Sequence, residues 1–73
     1  MKCVVKLVWD DESSTWFTET KDVPGLHLNS ASFDTLVEKV RTAAPEVLEA
    51  NLGYSGPVHI LFEAERIEKG VAV

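Results

Sequence analysis

The middle of the chain constrains the fold most. Phe33, Leu36, Val37, Val40, Ala43, Ala44, Val47, Leu48 and Leu52 recur at spacings of three and four. That rhythm puts one apolar stripe on one side of an α-helix. Everything on either side of it alternates with a period of two, the rhythm of strands with one face in and one face out. A chain of 73 residues has room for one domain, residues 1–73, built around that helix.

Residues 3–9, CVVKLVW, read as a first strand. Cys3, Val5, Leu7 and Trp9 fall on one face, and Val4, Lys6 and Val8 on the other. The run DDESS breaks it, and residues 15–21, TWFTETK, form a second strand. Trp16, Thr18 and Thr20 lie opposite Phe17, Glu19 and Lys21. The short polar link predicts an antiparallel hairpin in which Trp9 and Trp16 face each other. Pro24 and Gly25 then suit a type II turn, with proline fixing one φ and glycine supplying a positive one. The turn feeds a short third strand over residues 26–29, with Leu26 and Leu28 on one face.

Ser32 is a good N-cap, Asp34 suits the positive end of the helix dipole, and Gly53 suits the C-terminal cap. Pro45 removes a backbone donor, so a kink or brief break is expected near residues 42–45. Residues 58–64, VHILFEA, form a fourth strand. Val58, Ile60, Phe62 and Ala64 face one way, and His59, Leu61 and Glu63 the other. The tail after Arg66 is expected to fray.

The expected class is α+β, in the order β-β-β-α-β. Joining the fourth strand to the first buries more than joining it to the short third. That gives a four-stranded mixed sheet ordered 3-2-1-4, with a right-handed crossover and one kinked helix on one face. The other face then has no element to cover it. Val4, Lys6, Val8, Phe17 and Leu61 project onto it by alternation and make up the candidate interaction surface. Burial of each large apolar side chain there stabilises by about 1.5–3 kcal/mol before association costs. A homodimer or a partner protein would supply that burial. The stems of Lys6 and Glu19 lying over the patch would reduce the need for it. Small chains usually draw support from disulfides, metals or oligomers. Cys3 is the only cysteine, and His27 and His59 lack metal-ligand spacing, which leaves association.

Chemistry is sparse. Asp10, Asp11 and Glu12 are consecutive in a hairpin loop without the glycine that bends a cation-binding loop, so a solvated turn is expected and no metal. Cys3 lies on the predicted core face, away from any histidine base. No catalytic constellation and no cofactor motif is present, and no enzyme activity is expected. A formal net charge of −5 with seven scattered basic residues argues against nucleic acid; on charge alone it points first to simple solubility, and it also suits a basic protein partner. The chain has no apolar run of about 18 residues and no secretory signal, so no membrane association and a cytoplasmic location are expected.

The stretch WFTETKDVPGLHLNSASFDTLVEKV resembles the N-terminal domain of HicB-type antitoxins. Asp22, Val23, Pro24 and Gly25 match that family's turn, and Ser32 and Phe33 its helix start. The segment Ala43 to Glu46 is similar to one in a small HicB-related group of uncharacterised single-domain bacterial proteins. The resemblance implies a ribonuclease-H-like half-fold and a small basic RNA-cleaving toxin as partner. HicB antitoxins usually add a C-terminal DNA-binding domain; this sequence runs little past the fourth strand, and no DNA binding is expected of it. Active ribonuclease-H enzymes carry a carboxylate in the middle of the first strand. Here Val4, Val5, Lys6 and Leu7 stand there, so no nuclease is expected. From another class, a small-molecule-binding or regulatory dimeric domain fits the same features.

Overall fold

The computed structural model describes residues 1–68 and 70. Its elements are β1 (Lys2–Asp10), β2 (Thr15–Glu19), β3 (Asn29–Ser30), α1 (Phe33–Leu52) and β4 (His59–Glu65). The four strands form one mixed sheet ordered β3-β2-β1-β4. β1 pairs antiparallel with β2 and parallel with β4, as burial of the long apolar first strand requires. Part of the tail whose fraying the sequence suggested lies outside the described residues.

α1 covers one sheet face. Leu36, Val40, Ala44 and Leu48 are fully buried against Cys3, Val5 and Leu7, which are equally inaccessible. The strict alternation along β1 explains this: odd-numbered residues point at the helix and even-numbered ones away from it. Ser32 caps the helix, accepting the Thr35 N–H at 3.3 Å. Gly53 ends it with φ +65°, its N–H donating to the Glu49 carbonyl at 3.0 Å. The helix runs through Pro45 without a break. Pro45 is exposed, so its ring is accommodated on the solvent side while the apolar stripe keeps its phase.

Two expectations about strands are corrected. The second strand stops at Glu19 rather than Lys21. Beyond it, side chains take over the ladder: the Thr20 hydroxyl donates to the Val4 carbonyl at 2.7 Å, and Asp22 Oδ2 accepts the Val4 N–H at 2.7 Å. The third strand is Asn29–Ser30, not residues 26–29. The Thr18 N–H still donates to the Leu28 carbonyl at 3.1 Å, and beyond that backbone bond the segment is held by the Thr18 hydroxyl. It donates to the Leu26 carbonyl at 3.2 Å and accepts the Leu28 N–H at 3.0 Å, standing where a ladder partner would. Leu26 still reaches the core, at 3% exposure. The turn before it forms as expected, with Gly25 at φ +90° and the Leu26 N–H donating to the Val23 carbonyl at 3.2 Å.

At the far end of the sheet, Trp9 and Trp16 sit directly opposite each other, ring centroids 5.3 Å apart. Phe33 meets Trp16 edge-on at 4.9 Å, and the Arg66 guanidinium lies 4.3 Å above Trp9. This aromatic stack closes the core where the helix begins.

Candidate interaction face

The face turned away from α1 carries the even-numbered residues of β1 and their register partners. Val4 lies beside Leu61, and Val8 beside Phe17. Val4, Lys6 and Val8 are half-buried by their neighbours. Phe17 is 37% exposed and Leu61 47%, so neither finds cover within the described residues. All five residues singled out from the sequence therefore share this face.

They do not form one continuous apolar patch. The row between the two apolar pairs is Glu19, Lys6, Glu63, in register across three strands. Glu65 opposes Val8 and pairs with Lys6 at 3.7 Å, an exposed contact of small energetic weight. At the centre of the sheet, three glutamates thus stand on strand positions neighbouring Lys6, and among the described residues Glu65 is the one within ion-pair distance. Lys2 and His59 face each other at one end. The glutamates were in phase with the apolar residues in the sequence, but only the register brings them around Lys6.

Beside this row is an open cleft of about 370 Å³, bounded by Val4, Lys6, Glu19, Lys21 and Glu63. Thr20 and Asp22 also reach it, but both are engaged with the Val4 backbone.

The other candidates for chemistry are accounted for by local structure. Asp10 accepts the Glu12 N–H and the Ser13 hydroxyl, and Asp11 accepts the Trp9 indole N–H at 2.7 Å, so both carboxylates organise the hairpin turn. Among the described residues, no group of three or more His, Cys, Asp or Glu side chains is placed to hold a metal ion. Cys3 is wholly inaccessible, and burial pushes its thiol pKa up, the reverse of what a nucleophile requires. His27 and His59 are both exposed. Among the described residues, no helix is long and apolar enough to cross a membrane.

A single helix on a 3-2-1-4 sheet, with the opposite face uncovered among the described residues and charged at its centre, defines a small α+β protein. The chain belongs to the family of the domain of unknown function DUF1902, whose model matches residues 2–72. It is similar to a solved structure, the hypothetical protein TTHA1013 from the extremely thermophilic bacterium Thermus thermophilus. The identity is 34% and the TM-score 0.81, covering 96% of this chain and all of that one. No curated protein matches.

Proposed function

We propose that the chain is a non-enzymatic, cytoplasmic protein-interaction module of the HicB-like type, an antitoxin whose bare sheet face binds and silences a small basic RNA-cleaving protein. One observation carries this reading. The face left open by α1 interleaves two apolar pairs, Val4–Leu61 and Val8–Phe17, with a charged row of Glu19, Lys6 and Glu63, and Glu65 stands beside Val8. Apolar anchors supply affinity, and surrounding carboxylates select a basic surface and speed its approach.

The test is binding and silencing of a small basic protein recovered with the tagged chain from its native host. The recovered protein should cleave RNA when alone and stop when the chain is added. Its affinity should fall with salt, and the double variant Glu19→Lys/Glu63→Lys should lose it. A partner that binds the double variant equally well would rule out this face. A recovered protein without RNA-cleaving activity would rule out the antitoxin role.

The cleft beside Lys6 favours a second reading, a regulatory domain that binds a small molecule. Its volume of about 370 Å³ is within the usual ligand range. It is open, however, and two of its polar side chains already serve the Val4 backbone. Small-molecule screening by thermal shift distinguishes the two readings.

A further inference from the structure

The two edges of the sheet are built differently. β3 is only two residues long, which by itself blunts an edge. β4 is a seven-residue edge strand, HILFEAE, without lysine, proline or glycine. Of the devices that keep a free edge from pairing it has two glutamates, Glu63 and Glu65, but no lysine or proline, and it is long. The His59 N–H donates to the Met1 carbonyl at 2.8 Å, so in the parallel ladder the backbone groups of His59, Leu61 and Glu63 face β1. Those of Ile60, Phe62 and Ala64 point outward. On the helix side, Ile60 and Phe62 border a groove of about 220 Å³ between β4 and α1, lined also by Val58, Pro45 and Arg41.

We infer that a second copy of this chain occupies that edge, β4 pairing antiparallel with β4 about a two-fold axis at Leu61. This register places like with like. Ile60 opposes Phe62 of the other copy, and the two exchange backbone hydrogen bonds through their outward-facing groups. Leu61 opposes Leu61 at the axis. His59 opposes Glu63 at both ends, in non-hydrogen-bonded positions where side chains come closest. Moving the axis to Phe62 would instead set Leu61 against Glu63. The strand is thus self-complementary in hydrogen-bonding polarity and apolarity, as a two-fold interface must be. The result is one eight-stranded sheet. Because the axis is perpendicular to it, both helices lie on one side and both bare faces join on the other. This pairing is independent of which partner the bare face takes.

The experiment is sedimentation together with residue-resolved amide exchange, from micromolar to millimolar chain. The mass should rise to twice that of the chain, and the Ile60 and Phe62 amides should become protected over the same concentrations. The Leu61 and Glu63 amides should be protected throughout. His59→Glu should weaken association about tenfold by setting like charges opposite each other twice. The double variant His59→Glu/Glu63→His should restore it. A monomer at every concentration overturns the inference. So does a dimer in which Ile60 and Phe62 exchange freely, or a monomer in which they are already protected by the chain's own tail. Failure of the charge swap to restore association overturns the register.

Discussion

The side-chain amide of Asn51 donates to the Pro24 carbonyl at 2.7 Å, fastening the end of the helix to the reverse turn that precedes it by 27 positions. The contact is tight enough that a Cβ added at Gly25 would come within 2.7 Å of the same Asn51 nitrogen. Gly25 therefore meets two demands at once, a positive φ and a close approach.

Gly25→Ala should cost about 1–3 kcal/mol, from a strained backbone and displacement of Asn51. Asn51→Ala should cost about 1 kcal/mol through the lost hydrogen bond alone. Urea unfolding of both variants checks this. Equal losses would mean that the backbone conformation contributes nothing.

Thr18 is buried, with 8% exposure, and its hydroxyl serves both Leu26 and Leu28. Thr18→Val keeps the shape and removes the bridge, leaving a buried carbonyl and N–H without that partner. The expected loss is about 1–3 kcal/mol. Thr18→Ser keeps the hydroxyl and should lose less. If the two variants are equally stable, the hydroxyl is not what anchors the segment.

Pro45 lies inside α1 with no N–H to offer the Arg41 carbonyl one turn back. Because the residue is exposed, Pro45→Ala should gain helix propensity at little packing cost and stabilise the fold by about 1–3 kcal/mol. Thermal unfolding would register this as a higher midpoint. A lower midpoint would mean that the ring packs against something it protects.

Cys3 keeps its proton more tightly in the folded chain than in the unfolded one, because burial disfavours the thiolate and the Asp22 carboxylate adds to the effect. Its contribution to stability is therefore intact below the pKa of the unfolded thiol and is lost as pH rises toward the raised folded value. Denaturant titrations across the alkaline range should show this decline, and Cys3→Ala should remove its share of the slope. Rapid reaction of the native thiol with a disulfide reagent at neutral pH would contradict its burial.

Much of the architecture was legible because periodicity is a local property. The three- and four-residue recurrence from Phe33 to Leu52 located the helix, Ser32 and Gly53 marked its ends, and alternation along β1 separated Cys3, Val5 and Leu7 from Val4, Lys6 and Val8. Strand order followed from asking which partner lets an apolar first strand bury most. The third strand was misplaced because propensity does not reveal that a single hydroxyl, on Thr18, will take over hydrogen bonds otherwise made by backbone. The second ended early for the same kind of reason, with Thr20 and Asp22 substituting for main chain.

By itself, then, the amino-acid order determined which residues point toward the helix and which away, since that depends only on the two repeats of 3.6 and 2. Tertiary structure decided what the outward residues become together. Register across β2, β1 and β4 sets Glu19 and Glu63 on either side of Lys6 and divides the apolar residues into two pairs. Cross-strand neighbours are far apart along the chain, and a slip of one residue would turn every side chain to the opposite face, so no local pattern could have contained that arrangement.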